Sequence, residues 1–561
     1  MGAMLLGDRA ALPPDLNRTL RCAGLIHLVA ISGLHVGVIA MVVFGMLRRS
    51  RIPQWTLFAA ALLLLPAFGV AVGARPPIVR AVGSALIVLF GRWNGREGDS
   101  LNSLALLAWL LVALDPGALG APGLQLTFLA TAGILRLSAP LAALLPLPRL
   151  AAMGIAVSAS AYIAGAPVVA SHFGWLAPIA ILVNLAAAPI CALILGSGYA
   201  TIILHGVPFL HDGAALLGGL SVSCLMHIAA AASELELSGW RVGPPGLTVT
   251  VCYYALLVAI PAWRGSGLFR RGLLAVGFVT ALVWVHIGPP PQRAGRMAAA
   301  VLDVGQSQAV VVRGPGDAVV MVDASGGPNP RFDPGERVVL PFLSGWGIRR
   351  IDIQIISHGH LDHAAGAFAL LREIEVGELW LGPGFHRDEI QAGLAEEARR
   401  RGGAIVMAQA GAVAVRGGLR LEVLGPETED DELSSNDRSV VVRIGQAPTR
   451  IMIPGDLEAE GERALVLSGR VLEAEAMVVP HHGASGSSST GFLRSVNPRH
   501  AVVSCGFANR FGHPRREVVR RIEGLGARLW RTDRDGMVLL TAGEHGWEVS
   551  ATRRGRRAAP E

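Results

Sequence analysis

Between positions 357 and 363 the chain reads Ser357-His358-Gly359-His360-Leu361-Asp362-His363, which sets three imidazoles and a carboxylate close together. Imidazole nitrogen and carboxylate oxygen are donors that a borderline divalent cation such as zinc prefers, and a group this dense can surround one ion or two. The bland alternative is a polar loop whose histidines sit in water. It is disfavoured because histidine is scarce here, 16 of 561 residues. Three later stations carry matching chemistry. Ile451-Met452-Ile453-Pro454-Gly455-Asp456 ends an apolar run on a carboxylate, which standing alone would be a turn aspartate. Ala476-Met477-Val478-Val479-Pro480 runs into His481-His482. Adjacent side chains at a strand end diverge, so one of this pair binds metal while the other packs against it or orients it. Gly512-His513-Pro514 places a histidine in a turn, ahead of Arg515, Arg516, Arg520 and Arg521.

Together these give a ligand set of His358, His360, Asp362, His363, Asp456, His481 and His482 for two divalent ions, zinc or manganese, with Asp456 as the bridge. Ions so held lower the pKa of a shared water towards about 7 and clamp the oxygens of a phosphoryl or carbonyl group, which is metal-dependent hydrolysis. Asp362 and His513 are the candidate catalytic groups. Three roles stay open for His513: protonating the leaving oxygen, binding a phosphate, or serving the structure of the turn. An arginine-rich helix is ordinarily a solvated face; beside a metal centre, Arg515 and Arg516 become phosphate-binding candidates.

The run 351–356 alternates at period two, the mark of a half-buried strand, so the first cluster emerges where that strand ends. Strand-like runs over 299–303, 309–313 and 319–323 alternate with turns, and a helical stretch follows over 389–401. This is the texture of a soluble α/β domain, placed at 298–549 with a basic tail at 550–561. The stiff, polar stretch Gly288-Pro289-Pro290-Pro291-Gln292-Arg293 marks the boundary, a linker over 289–297.

Upstream the composition changes. At 52% hydrophobic residues and a mean hydropathy of +0.48, the chain is too apolar to be wholly soluble. Residues 1–22 form a short mixed segment without the ordered features of a cleaved signal. Apolar segments follow at 23–47, 55–73, 78–91, 101–114, 122–142, 150–171, 177–203, 213–232, 246–263 and 272–288. Several approach the ~20 residues that cross a bilayer, giving about ten crossings; those at 78–91 and 101–114 are short enough to be tilted, re-entrant or buried. If the segments alternate, Arg48, Arg49, Arg51, Arg92, Arg96, Arg136, Arg149, Arg264, Arg270 and Arg271 share one side, the cytoplasmic one, and the soluble domain faces outward. The formal charge of +7 rests on arginine, for the sequence contains no lysine. A Walker A phosphate loop needs its lysine, so ATP-driven work falls to a partner. Five scattered cysteines form no framework.

The His-x-His-x-Asp-His string resembles the signature of the metallo-β-lactamase superfamily. Wider motifs are similar to the ComEC/Rec2 family of bacterial competence proteins. In the apolar half these are 27–35, Ala74-Arg75-Pro76-Pro77-Ile78-Val79-Arg80-Ala81 and 125–130; in the soluble half they are Leu302-Asp303-Val304-Gly305-Gln306, 436–440, Gly455-Asp456, 480–485 and Gly512-His513-Pro514. The resemblance implies a polytopic α-helical membrane domain over 23–288, in the bacterial inner membrane, followed by a soluble αββα metallo-β-lactamase-like domain. It implies conduction of one strand of incoming DNA, with the soluble domain degrading the other strand as a nuclease. The partners it implies are single-stranded DNA, the lipid bilayer, a separate DNA-receptor protein, a cytoplasmic ATPase or helicase, and a second copy in a homo-oligomer. Ser32, His35 and Arg80, polar groups within apolar segments, become DNA-pathway candidates; for Ser32 and His35, packing through Gly33 and Gly37 is the alternative.

Departures from the family pattern are local. Members commonly begin with more membrane segments and an OB-like domain, expected to be absent here. The family string Leu-Asp-Val-Gly-Gln-Gly-Asp-Ala has Ser307 and Gln308 in place of its last Gly and Asp, and His360 stands where the family often has Asp. Two-metal superfamily sites usually add a histidine between the first motif and the bridging aspartate. Only His386 lies in that interval, in a poor context, so Asn436 or a water completes the first metal. Two rival readings remain: a membrane-anchored metallo-hydrolase of another envelope substrate, and a channel whose soluble domain is inactive and only binds DNA.

Overall fold

The computed structural model describes residues 14–28, 54–71, 76–93, 99–235, 238–259, 268–287, 295–327, 333–427 and 433–553. Ser32, His35, most of the first apolar segment, the proline-rich stretch at 288–294 and the tail from 554 lie outside these residues. The chain divides into two compact units, Met1–Pro289 and Pro290–Glu561.

In the first unit, the apolar segments after the first are helices: Gln54–Ala71, Pro76–Trp93, Ser100–Leu114, Pro122–Ala142, Arg149–Phe173, Ala180–Ile203, Pro208–Ser233, Leu247–Ala259 and Leu268–Ile287. Their ends are set by local chemistry. Asp99 caps Ser100–Leu114 by accepting from Leu101 N at 2.9 Å, and Pro122 and Pro208 open their helices where no N–H is needed. Among the described residues, four helices are long and apolar enough to cross a membrane: Pro122–Ala142, Arg149–Phe173, Ala180–Ile203 and Pro208–Ser233. The apolar stretches Ala59–Val70, Pro76–Gly91, Ser100–Leu114 and Leu247–Ala259 are shorter. Leu63, Trp109, Leu150 and Phe209 each stand more than half exposed, an outward apolar surface that lipid satisfies and water does not. The unit is a membrane domain. Its helices approach through small residues: a Cβ on Gly133 would lie 2.5 Å from Ala164 Cβ and 2.8 Å from Ser160 O. Arg80 is buried, with its Nε donating to Thr127 Oγ1 at 3.0 Å. The two-residue strands β1 (Trp175–Leu176) and β2 (Trp240–Arg241) pair antiparallel.

The second unit contains β3 (Ala298–Val301), β4 (Val310–Arg313), β5 (Val319–Val322), β6 (Arg350–Ile356), β7 (Glu375–Leu381), β8 (Ala404–Met407), β9 (Val413–Arg416), β10 (Leu419–Gly425), β11 (Val441–Ile444), β12 (Ile451–Ile453), β13 (Ala476–Val478), β14 (His500–Val503), β15 (Arg528–Arg531), β16 (Val538–Gly543) and β17 (Gly546–Ala551). They form an eight-stranded sheet, β17-β16-β3-β4-β5-β6-β7-β8, and a seven-stranded sheet, β15-β14-β13-β12-β11-β10-β9. Within them β5 to β8 run parallel, as do β12 to β15.

Side-chain alternation stacks these sheets. Val320, Val322, Ile353 and Ile355 meet Val442, Ile444, Ile453 and Val478 in one inner core. The opposite faces are covered by helices, with Leu340, Leu370 and Leu394 against the first sheet and Leu465, Phe492 and Ile522 against the second. The order of layers is α, β, β, α. β17 pairs through Ala551 opposite Val538, two residues beyond the boundary at 549 expected from the sequence. Its alternation of polar and apolar residues resembles the onset of a tail until the partner strand is seen.

Ile355, fully buried on β6 directly ahead of the histidine cluster, is predicted to carry more than local weight. Ile355→Ala should cost about 2–5 kcal/mol, read as a lowered denaturation midpoint of the full chain in detergent.

Candidate metal centre

Each ligand candidate lies just beyond the carboxyl end of a strand: 358–363 after β6, Asp456 after β12, and His481 and His482 after β13, with His513 in the longer loop that follows β14. In parallel sheets these ends gather on one side, where binding sites form. Tight backbone approach closes the gap between the two sheets. Gly455 has φ +62, and a Cβ there would lie 2.8 Å from Ser357 Cβ and 2.9 Å from Ser439 Cβ, so only glycine brings Asp456 against the first motif. His481 and His482 both take left-handed backbone, φ 50 and 53, and their rings lie 6.4 Å apart at 62°.

Asp362, His363, Asp456 and His482 each offer a ligand atom, and all of these atoms fall within 4.8 Å of one another. His363 Nε2 faces Asp456 Oδ1 at 3.0 Å, while His482 Nε2 lies 3.5 Å from Asp362 Oδ2 and 3.9 Å from Asp456 Oδ1. The other oxygen of Asp456 faces a second group: His481 Nε2 at 3.7 Å and His358 Nε2 at 4.0 Å. His360 joins through its Nδ1, 3.0 Å from His358 Nε2.

The donor set fits a divalent cation. His363 Nε2, His482 Nε2 and Asp456 Oδ1 are buried and lack hydrogen-bond partners, although they stand within a few ångströms of one another. Buried polar atoms left unpaired in this way are costly, and lone pairs aimed at one point are what a cation satisfies. The far ring nitrogens set this aim. His482 Nδ1 donates to Ser504 O at 2.8 Å and His363 Nδ1 to Asp323 Oδ2 at 2.8 Å, leaving both Nε2 atoms turned inward.

Electrostatics agree. Burial pushes His358 down to about 3, helped by the neighbouring His363, so it is a neutral donor. Burial would also lower His363, but the Asp456 and Asp323 carboxylates hold it well above the ordinary imidazole range. Burial would raise Asp362 and Asp456; the neighbouring His482 instead holds Asp362 at about 2, and His363 holds Asp456 well below its usual value. Anionic oxygens are thus concentrated at one point, where imidazolium protons meet them and where a divalent cation would take the place of those protons.

The structure therefore brings together Asp362, His363, Asp456 and His482, with His358, His360 and His481 alongside. Asn436 donates through Nδ2 to Glu458 Oε1 at 3.1 Å, and its Oδ1 is buried without a partner. His481 Nδ1 lies 2.9 Å from the same Glu458 oxygen. His386 sits in a short 3-10 turn with its ring against Phe385. His513 stands 6.0 Å from the His481 ring, and Arg515 and Arg516 are exposed at the head of the helix Arg516–Gly524.

The residues that sequence reasoning missed are the supports. Asp323, wholly buried after β5, accepts from Ser357 N at 2.8 Å, Ser357 Oγ at 3.0 Å, Gln308 Nε2 at 2.8 Å and His363 Nδ1. Ser307 Oγ donates to the carbonyl of Asp362, and Gly326 N donates to Ser307 Oγ at 3.1 Å. The available signal was an aspartate closing a valine-rich strand. If Asp323 orients His363, Asp323→Asn should lower zinc affinity roughly 10–100-fold in a chelator-competition titration; an unchanged affinity would remove that role.

Residues 4–267 match the family model described as competence protein, and residues 302–506 match the metallo-beta-lactamase superfamily. ComE operon protein 3 of Bacillus subtilis (strain 168) is 26% identical over 562 residues, covering 96% of this chain and 70% of that protein. Competence protein ComA of Neisseria gonorrhoeae is 29% identical over 576 residues, covering 99% of this chain and 76% of that protein. Among solved structures, the metallo-beta-lactamase fold protein YhfI from Bacillus subtilis aligns at a TM-score of 0.28 and 11% identity, over 42% of this chain and 95% of that one. A region matching competence proteins is thus followed in this chain by one matching the metallo-beta-lactamase superfamily, and over nearly its whole length the chain is similar to proteins named as competence proteins.

Proposed function

We propose that the chain conducts single-stranded DNA across the bacterial inner membrane during natural transformation, and that its second unit is a metal-dependent phosphodiesterase that degrades the strand not transported. The observation that carries the enzymatic half is the tetrad Asp362, His363, Asp456 and His482, whose ligand atoms all lie within 4.8 Å of one another, with His363 Nε2, Asp456 Oδ1 and His482 Nε2 buried and lacking hydrogen-bond partners. Similarity to competence proteins supports the DNA-uptake half. With no lysine for a phosphate loop, the driving force comes from a cytoplasmic ATPase or helicase, and a separate receptor delivers the DNA. An outward-facing second unit meets DNA before it crosses. Arg80, buried among apolar helices, is the pathway candidate within the described residues.

Asp456 supports two ion positions, since its two oxygens face different histidine groups. His358, His360 and His481 serve one, with Asn436 at the place in the sequence where a further histidine is expected; Asp362, His363 and His482 serve the other. Divalent cations held there supply Lewis acidity to a phosphoryl oxygen and acidify a water. The chain's own residues do the rest. Asp323 and Ser504 O fix the imidazole tautomers, and Arg515 and Arg516 neutralise phosphate charge. His513 is pushed down to about 4 by burial and by the adjacent His482 and His481, so at neutral pH it is an uncharged imidazole, with one ring nitrogen to donate and the other to accept.

Two measurements test this. Asp456→Ala with His360→Ala, introduced in a transformable host, should abolish DNA uptake, and the purified variant should lose bound zinc or manganese; normal uptake would sink the nuclease role. If the unaltered chain, loaded with metal, cuts neither single- nor double-stranded DNA, the soluble unit only binds DNA. His513→Gln should lower turnover by about 10²-fold with metal content intact. Because the neutral form of His513 is complete above about pH 5 and is lost as pH falls through about 4, the variant should show no altered limb in its pH–rate profile between about pH 6 and 8.

A further inference from the structure

The loop between β14 and the helix Arg516–Gly524 carries more apolar surface than its fold requires. Phe507 is 83% exposed and Phe511 44%. The guanidinium of Arg510 lies 4.8 Å from the centre of the Phe511 ring. The His513 ring stacks with Phe511 at 5.7 Å and 27°, and His513 in turn stands 6.0 Å from His481. A series of rings thus steps from solvent to the Asp456 cluster. The loop is held in place. Asn509 Nδ2 donates to Gly506 O at 2.9 Å and to His513 O at 2.7 Å, and Asn509 Oδ1 accepts from His513 N at 2.9 Å. At its far end Arg515 N donates to Gly483 O at 2.9 Å, which ties the loop to the turn that carries His481 and His482.

Single exposed phenylalanines are ordinary. Two within five residues, on a braced loop with exposed Arg510, Arg515 and Arg516, make a surface that a single nucleic-acid strand fits. Bases stack on aromatic faces without regard to sequence, and guanidinium groups pair with phosphates. We propose that this loop is a base-stacking platform, with Phe507 and Phe511 each taking a base of the strand whose phosphodiester reaches the metal centre, and with Arg510 and Arg515 pairing with its phosphates. The proposal rests on the phosphodiesterase reading above and adds the recognition element. A lipid surface could also take exposed phenylalanines, but Phe511 leads into the ligand cluster, and a bilayer seated on it would cover the centre.

The test uses the full chain in detergent, loaded with zinc, and phosphorothioate oligonucleotides that resist cleavage, one with bases and one abasic. Phe507→Ala should weaken binding of the base-bearing strand roughly ten-fold, leave the abasic strand unaffected and leave zinc content unchanged. Phe507→Trp should restore binding, and the indole fluorescence it adds, taken as a difference from the unaltered chain, should be quenched by the base-bearing strand alone. Equal losses on both strands, or no loss, overturn the platform while leaving the phosphodiesterase reading intact. A difference signal from the Phe507→Trp variant that shifts to the blue on reconstitution into lipid and ignores DNA overturns it in favour of membrane contact. If the unaltered chain neither binds these strands nor cuts ordinary DNA, the platform and the reading beneath it fall together.

Discussion

The carboxylate of Asp323 is taken wholly out of water, and a carboxylate in that position must be met by donors from every side. The donors come from separate parts of the chain: Gln308 ahead of β4, Ser357 at the end of β6, and His363 at the end of the metal motif. Directional bonds to one buried group leave little freedom in how these segments leave their strands. Ser357 Oγ also lies 3.0 Å from His358 Nδ1, so the first and last histidines of the motif are oriented from the same point. The candidate metal centre therefore rests on a residue outside the four whose ligand atoms converge.

Legibility followed from how demanding each role is. The ligand candidates stand out because metal binding restricts residue type, and three histidines and an aspartate within six residues have few other uses. Asp323 could not, because an aspartate closing Val319-Val320-Met321-Val322 is also what an ordinary strand end provides, and its partners lie 34 and 40 positions away. The backbone of His481 and His482 was equally hidden. Both adopt a backbone conformation that L-residues seldom take, and no local rule anticipates it. Apolar segments were legible as helices from length and composition, whereas the return of β16 and β17 to the edge of β3 depends on pairing between residues about 240 positions apart.

Ser307 and Gln308 show how a departure from a family pattern can be absorbed. Where the pattern has Gly and Asp, the hydroxyl of Ser307 donates to the carbonyl of Asp362 and accepts from Gly326 N, and the amide of Gln308 donates to Asp323. A second carboxylate at 308 would face Asp323 without a proton between them and would repel it, whereas the amide supplies the donor that a buried acceptor requires. Gly305, at φ +78, keeps the sharp turn ahead of both residues. The changed residues thus have definite work in supporting the ligand loop.

The two units solve the same energetic problem in different media. In the second, three cores close over valine, isoleucine and leucine and leave the ligand carboxylates and imidazoles as the concentrated polar feature. In the first, large apolar side chains face outward, and polarity is confined to contacts such as Arg80 with Thr127 and His172 with Gln125 at 3.2 Å. A guanidinium placed among apolar helices is expensive to maintain, and among the described residues its bond to Thr127 engages one of its five N–H donors. Packing alone would be served better by leucine. The chemistry that would repay a buried arginine is an anionic ligand passing close to it, which is the property a path for a phosphate-bearing strand needs.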